Sequence, residues 1–579
     1  MKNIRMILWV ALGLALLLNY SAWVSDFAPR DAAAAAEAQA KAEADKRTNP
    51  LGAAIPVAAP PAAAAPAGAV PPAAVAPATG DVPAPLATAT APAAAAPSAA
   101  VLNVRTDVLD VDVSLRGGEL ARADLLNYPQ VKGEATPVRL LQSGGTGQQY
   151  LVQTGLAGNV AGATPESYPT HLAQFTSDFT GFEMQSGQDE LRVPLEWTSP
   201  DGVKVTKTLV FRRGSYRIDL EYKIENGSAA TWSVRPYVQI LHDMPPVERS
   251  YFNVDSYSFT GPALWEGKYE KLDVSKAEDA ALDREITNGW LASLQHHFVA
   301  AVVPAKDEAA RYSLNVRGNE YLARTVSPPV DVIAGAAATV KETLFVGPKL
   351  QRQLSAIHPE LGRAADFGVL TFLSKPLFWL LDKAHGIFSN WGLAIIAVTF
   401  LLKLAFYPLS EASGRSMAKM KLVAPRMKAI QEQYKDDRQK LGQAMMELYK
   451  KEKVNPASGC LPQLIQIPVF IAFYWVLVES VEMRQAPFFG WLQDLSARDP
   501  FYVLPLIMAG AMFVQYKLQP TPPDPVQAKV FMILPLVMSA TFAFFPSGLV
   551  LYYTVNTVLT IAQQWNINRR LEASASGRN

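Results

Sequence analysis

The chain has 579 residues, half of them hydrophobic and only 18% charged, against about 25% charged in an ordinary soluble protein. Its 53 basic and 52 acidic residues leave a net charge of +1, so no electrostatic footprint for nucleic acid is present and no specific nucleic-acid partner is expected. A single cysteine, Cys460, excludes an intrachain disulfide framework and any cysteine-rich metal site.

Residues 6–24 are 19 uncharged positions preceded by Lys2 and Arg5, about the length a helix needs to cross a bilayer. A cleaved signal peptide is the alternative, but no small-x-small cleavage site closely follows the leucine run. Residues 1–25 are read as an anchor whose basic end stays cytoplasmic, so that the chain beyond it is exported. Residues 26–100 then form a linker. Between 51 and 100 there are 24 alanines and 11 prolines. Those prolines forbid a continuous helix and those alanines cannot build a core, so an extended, mobile tether that tolerates shortening is expected.

From 101 to 350 the texture changes to short alternating runs, such as VLDVDVSLRGGEL (108–120), separated by turn dipeptides such as Gly117-Gly118 and Asn226-Gly227. Many short strands with regular turns predict an antiparallel β-sandwich. It contains no cysteine, so its stability must come from the size of its core. Residues 351–388 are a connector. Its second half, 366–388, is apolar but broken by Lys375-Pro376 and Asp382-Lys383, and reads as an amphipathic helix lying in a membrane interface.

Five further apolar segments lie at roughly 390–410, 460–482, 501–518, 530–546 and 548–567. Residues 411–458 between the first two carry eleven basic and six acidic side chains, which marks a cytoplasmic loop. With a cytoplasmic N-terminus, an even number of spans must precede it. Counting 366–388 as a span would put those cations outside. The expectation is therefore a polytopic α-helical membrane protein of six spans. Both termini are cytoplasmic, the core is residues 389–570, and a short tail covers 571–579.

No phosphate-binding loop, dinucleotide fingerprint or H-E-x-x-H occurs. The six histidines are scattered. His296 and His297 fall in a predicted strand, where alternation would point them to opposite faces, so no metal site is expected. No nucleophile–base pair stands out, and neither an enzyme nor a cofactor is expected. The polar residues inside the apolar segments are more informative. Lys403 lies in IIAVTFLLKLAFYPL, where a mid-helix lysine costs roughly 2.5–3.5 kcal/mol on insertion scales. Thr399, Lys403 and Tyr407 are spaced to share one helix face. Two readings stay open: the lysine snorkels to the cytoplasmic headgroups, or it lines a water-filled cavity. Tyr552, Asn556, Thr560 and Gln563 in the last segment, with Gln463 and Gln466 in the third, favour the cavity, because polar helix faces need one another or water. The 411–458 segment reads as a helical hairpin. Its methionines, Met417, Met420, Met427, Met445 and Met446, suit either the hairpin's own packing or an adaptable surface for nascent chains.

The run NPASGCLPQLIQIPVFIAFYWVLVESVEMRQAPFFGWLQDLSARDP (455–500) resembles the YidC family of membrane-protein insertases. So do SMAKMKLVAPRM (416–427), DPVQAKV (524–530) and FPSGLVLYYTVNTVLTIAQQ (545–564). RTDVLDVDVSLRGGEL (105–120) and GWLASLQHHFVAAVVP (289–304) are similar to the family's Gram-negative form. The resemblance implies an insertase of the bacterial inner membrane, with a periplasmic β-supersandwich and a groove open to the cytoplasm and the lipid. Its implied partners are nascent membrane proteins, the lipid bilayer, the Sec translocon and the ribosome, although the short tail speaks against a strong tail-borne ribosome contact. Groove residues by this resemblance and by the residue pattern are Lys403, Thr399, Gln466, Tyr552, Tyr553 and Asn556. The family's groove cation is typically arginine in Gram-negative members. Here lysine keeps the charge and loses the fork of donors.

Overall fold

A computed structural model describes residues 51, 55–56, 100–143, 148–159, 167–244, 258–434, 437–452, 461–518 and 525–576. The expected anchor at 1–25, most of the linker and Cys460 lie outside these residues.

Along Val203–Arg212 the side chains alternate: Val203, Val205, Leu209 and Phe211 are buried while Lys204 is exposed. Repeated along the other strands, this pattern builds an 11-stranded and an 8-stranded sheet. The two pack face to face over a core that joins Val111, Val152 and Val238 of the first to Leu220, Ala300 and Phe345 of the second. Among the described strands, one pairing is parallel, Asn103–Arg105 with Gly181–Glu183; the rest are antiparallel. Lys207 falls at an inward position of its strand and is fully buried. Its Nζ donates to the carbonyls of Gly117 (2.7 Å) and Gly118 (2.8 Å). Both glycines have positive φ, and a Cβ on Gly118 would stand 2.9 Å from that ammonium. The glycine turn thus turns its carbonyls onto a charge that the core could not otherwise hold.

The histidine pair is placed differently from the sequence expectation. His296 and His297 occupy the turn between strands Trp290–Leu294 and Phe298–Val303, outside either strand. Freed from alternation, their rings stack with centroids 3.7 Å apart. The linker also departs from a uniform tether. Leu51 is buried against Leu151, Leu241 and Leu322, and Ile55 packs against Ala157, Tyr237 and Val326.

After the sandwich come helices α1 (Thr371–Phe388), α2 (Trp391–Ala405), α3 (Tyr407–Gln433), α4 (Arg438–Lys451), α5 (Leu461–Glu479), α6 (Val503–Leu518), α7 (Pro525–Phe542) and α8 (Ser547–Ser576). Among the described residues no single helix is long and apolar enough to cross a membrane; α2 and Tyr407–Ser416 meet that criterion together, bent by 64°. The bend corrects the reading of 390–410 as one straight segment. Pro408 stands in the first turn of α3, where its missing N–H costs nothing but where it ends the preceding helix. Tyr407 therefore does not continue the face of Thr399 and Lys403. Outward faces of the bundle are apolar: Leu404, Leu506, Leu536 and Val537 are all exposed, as suits a surface solvated by lipid. α1 lies along α2 and α5 with Leu377, Phe378 and Leu381 inward and Phe372, Trp379 and Ile387 outward.

The sandwich and the bundle meet around the end of α5. Lys349 and Glu479 are both buried there, Ser258 Oγ donates to Glu479 Oε1 (2.7 Å), and Lys271 pairs with Asp366. Burial lowers the pKa of Lys349 and the nearby Glu479 and Asp366 carboxylates oppose that shift. His296 Nε2 lies 3.0 Å from the Val478 carbonyl. Arg484 Nη2 donates to the Pro129 carbonyl (2.8 Å) while the guanidinium covers the Phe298 ring at 5.6 Å. Gln485 Nε2 reaches the same carbonyl at 3.0 Å.

These contacts predict a local effect for Arg484→Ala. Hydrogen exchange across 128–137 should speed up severalfold, while the sandwich's unfolding temperature should stay within about 2 °C of the parent because its core is untouched. Unchanged exchange in that hairpin would show that Arg484 does not hold it.

Candidate functional site

Three helices define the site, and each changes character along its length. α2 begins beside the 480–500 loop, where the Asn390 side chain caps it by accepting from Leu393 N (3.0 Å) and also donates to the Phe488 carbonyl. Gly392 follows; a Cβ there would lie 2.0 Å from the Phe488 ring, so only glycine lets the loop close on the helix. Ala394, Ile395 and Val398 then face the bundle core. Thr399, Leu402 and Lys403 come next and line a cleft. α8 starts at the same end, where Ser547 Oγ donates to the Asp494 carbonyl (2.8 Å). It passes through Leu549, Val550 and Leu551 in the core and reaches the cleft at Tyr552 and Asn556. α5 runs the other way. Gln466 and Val469 line the cleft, Phe473, Val476 and Leu477 join the core, and Glu479 ends at the sandwich.

The cleft therefore occupies the half of the bundle away from the sandwich. The half nearer the sandwich is sealed by an apolar cluster that includes Met483, Leu492 and Leu495 of the 480–500 loop. Phe406 and Ser410, around the α2–α3 bend, complete the lining of this narrow cleft, which is partly open to the outside. Phe406 and Ser410 stand seven and eleven positions after Thr399, on its helical stripe, and they line the cleft while Tyr407 does not.

Inside the cleft the polar groups answer one another. Lys403 Nζ donates to Thr560 Oγ1 (2.8 Å), and Thr560 Oγ1 donates in turn to the Asn556 carbonyl (2.7 Å). Gln466 Nε2 donates to Asn556 Oδ1 (2.8 Å), linking α5 to α8. Thr399, almost fully buried, spends its hydroxyl on the Ile395 carbonyl. Tyr552 stacks on Phe473 with centroids 4.4 Å apart and forms the floor. A hydroxyl holds the ammonium, so the cation's charge stays available to an incoming anionic group. A charge-assisted bond of this kind contributes about 1.5–3 kcal/mol, comparable to the insertion cost of the lysine.

Of the residues singled out from sequence, Lys403, Thr399, Gln466, Tyr552 and Asn556 come together. Tyr553 does not: one position along α8, its ring turns to Phe542 (5.1 Å) and Phe470 (5.8 Å), away from the lining. Thr560, named from sequence with the polar face of the last segment, joins them through Lys403. Phe406 and Ser410 were missed, although they stand seven and eleven positions after Thr399 on its helical stripe.

The α3–α4 hairpin stands next to the open half. Arg426 pairs with Glu452 across it, and Gly414 lets α3 approach α8, where a Cβ would lie 2.7 Å from Ile567. Among its methionines, Met427 is buried with Val423 and Leu448, and Met420 and Met445 pack around them. Met446 is exposed. The side chain of Met417 lies outside the described residues. Three of the five methionines thus help build the hairpin itself, together with Val423, Ile430, Leu448 and Tyr449.

Residues 101–380 match the family described as YidC periplasmic domain, and residues 383–574 the family described as 60Kd inner membrane protein. The chain is 46% identical to a membrane protein insertase YidC of Thioalkalivibrio sulfidiphilus, covering 99% of both chains. It is 47% identical to that of Methylococcus capsulatus over 82% of this chain and 86% of the relative. A solved structure of an active YidC insertase with its first transmembrane domain resolved is 21% identical and covers 81% of this chain and 92% of its own, with a TM-score of 0.37.

The hairpin packing has a direct consequence. Met427→Ala should destabilise the hairpin by about 2–5 kcal/mol and speed hydrogen exchange across 420–449. Met446→Ser should change it by less than about 0.5 kcal/mol. Equal exchange in the two variants would mean that Met427 is not a core residue.

Proposed function

The chain belongs to the YidC family of membrane protein insertases, and from that premise we propose that the cleft around Lys403 receives nascent hydrophobic segments and releases them sideways into the inner membrane. The observation that carries this reading is the one-sided cleft: polar groups from three helices converge on one cation, and the end toward the sandwich is closed by apolar side chains. A cleft that is wet at one end and sealed at the other lowers the cost of bringing a polar or acidic stretch part-way into the bilayer, without opening a pore. The client's apolar segment then moves into lipid, where burial contributes about 25 cal/mol per Å². Acidic exported stretches gain further from the membrane potential, about 2.3 kcal/mol per charge per 100 mV. No covalent step is needed, and the protein is read as an insertase and folding helper rather than an enzyme.

In this reading the sandwich is periplasmic. The open end of the cleft and the hairpin are cytoplasmic, as are both termini, with six spans including the anchor at 6–24. The eleven cations of 411–458 support that orientation. α1 lies in the outer interface, with Phe372, Trp379 and Ile387 toward lipid. The exposed Met446 and the hairpin's cations provide the first surface a nascent chain meets. Work beside the Sec translocon, and contact with ribosomes, belong to the same proposal.

Site-specific photocrosslinking from Thr399, Gln466 and Tyr552 to a stalled nascent membrane protein tests the receiving role. Adducts from all three positions are expected, and their absence from a folded protein would refute it. Charge is tested separately. Lys403→Arg should insert an acidic client at the parent rate. Lys403→Ala should slow it roughly tenfold, the equivalent of about 1.4 kcal/mol, and leave a client with an uncharged exported segment unaffected. Full insertion of the acidic client by Lys403→Ala would contradict the role of the cation.

A further inference from the structure

The outer face of the 11-stranded sheet, turned away from the sandwich core, is covered by a part of the chain that composition would treat as tether. Three successive rungs run across strands Tyr150–Gly158, Trp232–Asp243 and Glu320–Val326. Leu151, Leu241 and Leu322 are paired in register on the first. Gln153, Gln239 and Arg324 form the second, and Gly155, Tyr237 and Val326 the third. Leu51 seats on the first rung, and Ile55 on the third with Ala157 beside it.

The two anchors seat on different rungs of the same sheet face, Leu51 in a 3₁₀ turn over the leucines and Ile55 over Tyr237 and Val326. The polar rung between them is bonded from strand to strand. Arg324 Nε donates to Gln239 Oε1 (2.9 Å), Gln239 Nε2 to Gln153 Oε1 (2.7 Å), and Gln153 Nε2 to Glu119 Oε2 (2.9 Å). Polar groups that bond to one another cost less to cover with apolar chain than isolated ones.

We propose that Leu51 and Ile55 are the two anchors of an intramolecular latch that docks on this sheet face. Docking divides the linker into a leash ahead of residue 51 and a loop closed on the sandwich behind residue 56. The reach between residue 25 and the sandwich is then limited to about 90 Å, against about 260 Å for the undivided linker. The latch thereby ties the expected N-terminal anchor to the sandwich on a leash about a third as long as the linker. This is independent of the insertion cleft, which lies at the far side of the bundle.

The test uses the full-length protein in membranes. Benzoylphenylalanine at position 51 should crosslink to tryptic peptides containing Leu151, Leu241 or Leu322 of the same chain. Adducts confined to other segments, to lipid, to another protein or to a differently tagged second copy would overturn the proposal. A release variant gives a second readout. With Cys460→Ser and Val326→Cys as the background, adding Leu51→Asp and Ile55→Asp should raise the maleimide labelling rate at least tenfold. An unchanged rate would equally overturn the latch. Both anchors lie outside the sandwich strands, so these substitutions leave its core intact.

Discussion

A lysine in the last turn of an apolar helix, facing the bundle, shapes the design around it. Lys403 cannot be placed there without an answering polar surface. That surface comes from the hydroxyl of Thr560, the amides of Asn556 and Gln466, and the opening that the α2–α3 bend creates. Polar groups on three helices in turn require water on one side, and an insertase that keeps its membrane tight requires that the water stop. The apolar cluster of α2, α5, α8 and the 480–500 loop is that stop. Along α2, α5 and α8 the cleft-lining polar residues therefore lie on one side of the apolar cluster and the sandwich on the other.

The seal is built with more care than the cleft. Asn390 caps α2 and holds the loop, Gly392 gives Phe488 room, and Ser547 fixes the start of α8 to the loop backbone. Asp499 accepts from Leu504 N (2.7 Å) and from the Trp491 indole (3.1 Å), which fixes the start of α6 as well. The sandwich then leans on the same region through Arg484, Gln485 and the buried Lys349 and Glu479. The sandwich thus packs on the closed end of the bundle.

How much of this was legible from sequence depended on how local the cause was. Period-two alternation marked the sandwich strands, and the run of cations in 411–458 marked the hairpin. The polar site residues on α2, α5 and α8 were legible because a polar side chain in an apolar helix is costly and so conspicuous. Features set by tertiary geometry were not. Tyr407, next to the bend before Pro408, stayed out of the cleft lining, and one step along α8 separated Tyr552 in the cleft from Tyr553 against Phe542. Spacing alone did not divide the hairpin's methionines between surface and core; in the fold Met427 packs with Val423 and Leu448 while Met446 stays exposed. Lys207 stood at an inward strand position, and only the folded glycine turn explains how the core accepts it. Leu51 and Ile55 were lost among alanines and prolines, where composition hides two well-placed apolar side chains.

The central claim is that the cleft is wet from one side only. Single cysteines placed in a Cys460→Ser background test it with a membrane-impermeant maleimide applied to right-side-out or inverted vesicles. Gln466→Cys and Thr399→Cys should label from the cytoplasmic face alone, and Ala472→Cys and Val398→Cys in the seal from neither face. Labelling of Gln466→Cys from the periplasmic face, or of the seal positions from both faces, would contradict the account.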